Sequence, residues 1–139
     1  MNTYSIKDEQ FQKTGLYQEF IKENPSYGYL RIRAYSASEA IPIPGVEISI
    51  STIYKNNKII YYEGKTNDSG VIEKISLPTP KLMTNNLNVP KNIVYEIKMT
   101  YSQENINNSY TVNMYEGVCT VQNINIAPNK MEEEDLAWL

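Results

Sequence analysis

Histidine is absent from this 139-residue chain, and cysteine and tryptophan occur once each. Histidine is the usual proton shuttle at neutral pH and the commonest metal ligand, so its absence removes much acid–base and metal chemistry. A single cysteine, Cys119, makes no intrachain disulfide and no cysteine-based zinc site. Without a histidine partner it is a poor catalytic thiol, and simple packing in a core is the expectation for it. No stretch approaches the roughly 18 apolar residues of a membrane span. The first ten residues, Met1 to Gln10, hold no apolar run, so no secretory signal is expected and synthesis in the cytoplasm is. A large charge excess is missing as well. The 13 Lys and Arg against 16 Asp and Glu give -3, too little to draw the chain to nucleic acid or an anionic membrane. These absences together lead to the expectation that the chain is not an enzyme and holds no cofactor and no metal.

What is present is unevenly distributed. Glu132, Glu133, Glu134 and Asp135 stand together, just before Leu136-Ala137-Trp138-Leu139. Setting those four aside leaves 12 acids against 13 bases, so the net charge belongs to a tail. Asn, Ile, Lys and Tyr are abundant, the bias of an AT-rich coding sequence, which accounts for many exposed asparagines. Leu16 or Tyr17 falls on one helical face with Phe20 and Ile21, and Pro25 ends that element by forcing Asn24 out of the helical region. So short a helix is marginal alone and needs a surface to dock on.

From Gly28 the period changes to two. Leu30, Ile32 and Ala34 alternate with Arg31 and Arg33, and Val46, Ile48 and Ile50 alternate with polar residues. Ile41-Pro42-Ile43-Pro44-Gly45 is too proline-rich for a central strand and reads as a loop or edge segment. Asn56-Asn57 reads as a hairpin turn into Ile59-Ile60-Tyr61-Tyr62. Thr66-Asn67-Asp68-Ser69-Gly70 is a dense turn signal before a strand through Val71, Ile72, Ile75 and Leu77. Residues 93 to 101 set Val94 and Glu96 opposite Tyr95, Ile97 and Met99. Strands from Tyr110 to Met114 and from Val118 to Ile126 follow. The resulting expectation is an all-β chain, a seven-stranded immunoglobulin-like β-sandwich with a short N-terminal helix and a C-terminal tail.

The blocks Gly28-Tyr29-Leu30-Arg31-Ile32, Pro42-Ile43-Pro44-Gly45-Val46-Glu47-Ile48, Thr66-Asn67-Asp68-Ser69-Gly70 and Leu77-Pro78-Thr79-Pro80 resemble, in order and spacing, the carboxypeptidase-regulatory-like or transthyretin-like domain. Tyr95-Glu96-Ile97 and the ending from Val118 to Pro128 resemble variants found in clostridial envelope and spore proteins. The resemblance spans residues 28–128 and implies a transthyretin-like sandwich that serves chiefly as a scaffold. Its hydroxyisourate hydrolase branch needs histidines, which this chain lacks. Some related adhesin domains form a Lys–Asn isopeptide bond. Arg31 and Arg33 hold the place of that lysine, and Lys98, Glu47 and Asn123 are the replacement trio to check. A calcium site at Asn67-Asp68 would need more oxygen ligands than its neighbourhood offers.

The chain therefore divides into an N-terminal arm over 1–27, a sandwich over 28–128 and an acidic, aromatic-ended tail over 129–139. The favoured role is a structural or assembly subunit of a spore, envelope or phage-like particle, homo-oligomeric or bound to a protein partner. Its candidate contacts are Phe11, Tyr17, Phe20 and Ile21 in the arm, Arg31 and Arg33 in the first strand, and Leu136, Trp138 and Leu139 in the tail. The alternative is a cell-wall glycan-binding module using a tyrosine face of Tyr54, Tyr61 and Tyr62. Intact-protein mass tests the isopeptide branch. The unmodified mass is expected, and a mass short by one ammonia would reveal the bond.

Overall fold

The computed structural model describes residues 1–36, 40–82 and 91–126, and within them nine strands stack as two sheets. The first sheet runs β1 (Asn2–Ser5), β5 (Asn57–Lys65), β4 (Glu47–Tyr54), β7 (Ile93–Tyr101), β8 (Ile106–Met114). The second is centred on β2 (Ser26–Ser36), which pairs antiparallel with β6 (Val71–Thr79) and β3 (Ile41–Pro42), and parallel with β9 (Cys119–Asn125). Two short helices, α1 (Glu9–Gln12) and α2 (Gly15–Glu23), join β1 to β2.

Alternation within the strands builds the main core. Leu30, Ile32 and Ala34 of β2 face Ile48 and Ile50 of β4 and Tyr95, Ile97 and Met99 of β7, all nearly inaccessible. Tyr95 also ties the sheets together, its hydroxyl donating to the Pro78 carbonyl of β6 at 2.6 Å. At the edge of this core Thr66 closes the β5–β6 connection. Its hydroxyl donates to the Ile43 carbonyl at 2.9 Å and accepts from the Val46 amide at 3.0 Å.

A bulge divides the first sheet. Ile50 lies opposite Tyr62 but Ser51 lies opposite Ile60, so Tyr61 has no partner across the ladder. The extra residue turns both tyrosines toward apolar surroundings: Tyr62 packs on the main core and Tyr61 on both it and a second one. That second core holds Phe11, Phe20 and Ile59, with Tyr4, Leu16, Tyr17 and Ile21 around them. Each helix begins on a side-chain cap, Asp8 accepting from the Gln10 amide and Thr14 from the Tyr17 amide.

The expected sandwich and its helix are present, with differences at the ends. The strands β1 and β3 have four and two residues, too few to show a period, and α1 is a single turn. The hairpin expected at Asn56-Asn57 turns on Lys55 and Asn56, both at positive φ, and Asn57 already belongs to β5. At Asn67 the side chain is used locally, accepting from the Ser69 and Val71 amides, which leaves Gly70 to take the positive φ. Within the N-terminal residues β1 extends the first sheet by pairing with β5, and Phe11 of α1 and Phe20 of α2 share a core with Ile59 of β5.

Two substitutions test this packing. A Cβ on Gly28 would come within 2.6 Å of the Tyr115 backbone oxygen, so Gly28→Ala is expected to destabilise by about 1–3 kcal/mol through overpacking. Tyr95→Phe leaves the buried Pro78 carbonyl unpaired and is expected to cost about 1–3 kcal/mol. Urea denaturation reads both, and unchanged midpoints would contradict the packing described.

Candidate functional site

The same alternation that buries Leu30, Ile32 and Ala34 turns Tyr29, Arg31, Arg33 and Tyr35 to the outside of the second sheet. Parallel pairing with β9 then sets Cys119 beside Tyr29, Val121 beside Arg31, Asn123 beside Arg33 and Asn125 beside Tyr35. From β6 come exposed Glu73, Lys74 and Ser76. Lys74 Nζ stands 4.4 Å from the centre of the Tyr29 ring, and the Arg33 guanidinium 5.7 Å from that of Tyr35. Arg31 reaches Glu73 only at 3.9 Å, beyond hydrogen-bond length, and its buried Nε has no partner among the described residues. Three cations against one carboxylate leave this face positive. The carboxylates of α2 do not compensate it, since Glu19 pairs with Lys55 and Glu23 lies beside Tyr54, on the first sheet.

Cys119 is exposed, not packed in the core. The period-two reading was correct, but β9 is an edge strand and its phase puts Cys119 with Tyr29 on the outer face. Phe11 and Phe20 are in the interior and Tyr17 and Ile21 pack around them, so these arm residues cover the chain's own sheet and offer little to a partner. Leu136, Trp138 and Leu139 lie outside the described residues.

The tyrosines of the glycan reading do not form an exposed platform. The Tyr54 ring meets Phe20 edge to face, and its enclosed hydroxyl lies beside the Glu23 carboxylate. Burial, reinforced by the Glu23 carboxylate, pushes its pKa up to about 12. Tyr61 is likewise raised to about 12 by burial, with Tyr17 and Tyr27 beside it. Burial raises Tyr62 too. The Lys98, Glu47 and Asn123 trio is not assembled either. Lys98 and Glu47 are exposed on the first sheet and Asn123 on the second.

Surface concavities are shallow. One groove of about 390 Å³ crosses the outside of the first sheet between Glu47, Glu63, Lys65 and Lys98. Another of about 550 Å³ is bordered by Met1, Ile53 and Val94. Among the described residues no three His, Cys, Asp or Glu converge as metal ligands, and no helix is long and apolar enough to cross a membrane.

Sequence reasoning missed the edges. Both β8 and β9 pair on one side only, with β7 and β2 respectively, among the described residues. Their lack of charge was legible in the sequence, but which strands lie outermost was not.

No protein-family model and no curated protein sequence matches the chain. Among solved structures it is similar to a 5-hydroxyisourate hydrolase from Klebsiella pneumoniae, with TM-score 0.50 and 14% identity over 73% of this chain and 85% of that one. The fold is transthyretin-like. Transthyretin from Sparus aurata is similar at TM-score 0.48 and 15% identity, over 71% of this chain and 88% of that one. The hydrolase corrects the expectation that the chain is not an enzyme. The architecture is one on which an enzyme is built, so a sandwich without histidine is no ground for excluding catalysis. At this identity the likeness carries the fold and no residue role.

The buried phenols give a pH prediction. Their folded pKa values lie above the ordinary value near 10, so the stability they contribute is complete below it and is lost as pH rises through the folded values. Phenolate absorbance during alkaline titration should show the ionisation of Tyr17, Tyr54, Tyr61, Tyr62, Tyr95 and Tyr110 delayed to higher pH. A single ordinary titration of all tyrosines in folded protein would contradict the burial described.

Proposed function

We propose that the protein is an assembly subunit that associates with a second copy of itself through the flank formed by β8 and β9. The observation that carries this reading is an asymmetry between edges. The sequence of β8, Ile106-Asn107-Asn108-Ser109-Tyr110-Thr111-Val112-Asn113-Met114, contains no charge, proline or glycine. The same is true of β9, from Cys119 to Asn125. Such strands present unpaired backbone donors and acceptors with nothing to repel another strand. The remaining edges are guarded: β6 carries Glu73, Lys74 and Pro78, and β5 is covered by the four-residue β1. A loop of four residues, 115 to 118, joins β8 to β9, so the two unguarded edges lie on one flank.

Association through strand edges would add main-chain hydrogen bonds and extend both sheets across copies. The larger setting, a spore layer, envelope or phage-like particle, rests on the sequence blocks that resemble proteins of that kind. The glycan reading has no comparable support, because Tyr54, Tyr61 and Tyr62 pack inward.

Light scattering across a concentration series tests the proposal. The chain should form dimers or larger species that weaken at least about tenfold, or about 1.4 kcal/mol, when exposed Thr111 and Asn113 of β8 are both changed to Lys. A wild-type chain that stays monomeric, or a double variant that assembles unchanged, would overturn it.

A further inference from the structure

Strand register sets the outer face of the first sheet. Across β5, β4 and β7, Lys58 lies opposite Ile53 and Ser51 lies opposite Glu96. Two residues further along that second pairing Val94 comes level with Ile53, and Thr52 beside them donates to the Val94 carbonyl at 2.8 Å. Ile53 and Val94 are 56% and 50% exposed, two apolar side chains standing side by side. Ser51 is nearly inaccessible and floors the concavity of about 550 Å³ that Ile53, Val94, Lys58 and Glu96 border. Among the described residues neither Lys58 nor Glu96 has an ion-pair partner.

The two charges stand on opposite sides of the apolar pair. Two strand spacings, about 10 Å, separate them across the sheet, and two residues, about 7 Å, separate them along it. Their midpoint falls over β4, between Ile53 and Ser51. A two-fold axis through that point, in the plane of contact and perpendicular to the Lys58–Glu96 line, exchanges the charges of two facing copies. Lys58 of each copy then meets Glu96 of the other. The same rotation lays Ile53 of each copy against Val94 of the other. Charge and apolar surface are thus complementary to themselves under one operation, as a two-fold contact between identical chains requires. A different partner would need no such exchange symmetry.

We infer that a second copy of this chain docks face to face on the outer surface of the first sheet about this two-fold. Ile53 and Val94 form the centre, where removing apolar surface from water supplies the attraction. The Lys58–Glu96 pairs flank it and fix the orientation, because an axis along the Lys58–Glu96 line would instead set Lys58 against Lys58. The contact uses a sheet face and not a strand edge, so it does not rest on assembly through β8 and β9. Where both contacts form, each copy has two distinct self-contacts and association proceeds beyond a dimer.

Exchange of charge between copies supplies the test. Light scattering of the full chain at one fixed concentration reads the average mass. Lys58→Glu and Glu96→Lys are each expected to lower it about twofold, since either change alone opposes like charges at both ends of the contact. An equimolar mixture of the two variants should return to the wild-type mass, because each supplies the charge that the other lacks. The chain carrying both changes should do so by itself, which keeps the test decisive if one single variant does not fold. Assembly through β8 and β9 alone predicts no effect of either change. A mass that neither single change moves would overturn the inference. So would a loss that neither the mixture nor the doubly changed chain restores.

Discussion

The alternation of β2 is the constraint on which the molecule turns. This strand pairs with three others, β3, β6 and β9, so its register is held from both sides and cannot slip by one residue. A slip would move Leu30, Ile32 and Ala34 to the surface and bury Arg31 and Arg33, at a cost far beyond the few kcal/mol by which domains are stable. Fixing the apolar set inside therefore fixes the Arg and Tyr set outside. The charge of the outer face, its cation–aromatic contacts and its exposed neighbour Cys119 are consequences of that single choice.

The first sheet solves a different problem with a bulge. Its inner face must serve the sandwich at one end and the two N-terminal helices at the other. The unpaired Tyr61 reverses the strand phase between the two tasks, so that Tyr62 belongs to one core and Tyr61 to both. The helices are consequently part of the domain. Their phenylalanines contribute burial, on the order of 1.5–3 kcal/mol for a fully buried apolar side chain, that a detached arm would forfeit.

Much of this was legible in the residues. The strands β2, β4 and β7 announced themselves by period two, β5 and β6 by the turn signals before them, and Pro25 and the Leu16 to Ile21 face marked α2. The turns at Gly45 and Gly70 were marked by glycines that do take positive φ. What escaped was whatever depends on position across the sheet. The phase of Cys119 is opposite to that of the buried Ile124 and Ile126, which puts it with Tyr29 on the outer face. The tyrosines at 61 and 62 look alike as neighbours that should face opposite ways, and a bulge, invisible to periodicity, brings both inward. The expectation that the chain is no enzyme failed for another reason. It used a missing residue type to judge a fold that supports a hydrolase elsewhere.

Two surfaces now stand apart: a charged and aromatic face on the second sheet, and an uncharged flank where β8 and β9 end the sheets. The flank carries the functional reading, since nothing in its sequence discourages another strand from pairing there. Hydrogen–deuterium exchange at low and high protein concentration tests that reading most directly. The account predicts that amides of residues 106–114 and 119–125 gain protection as concentration rises, while those of β1 and β6 do not change. Equal exchange of β8 and β9 at both concentrations, in a chain that scattering shows to be associated, would contradict it.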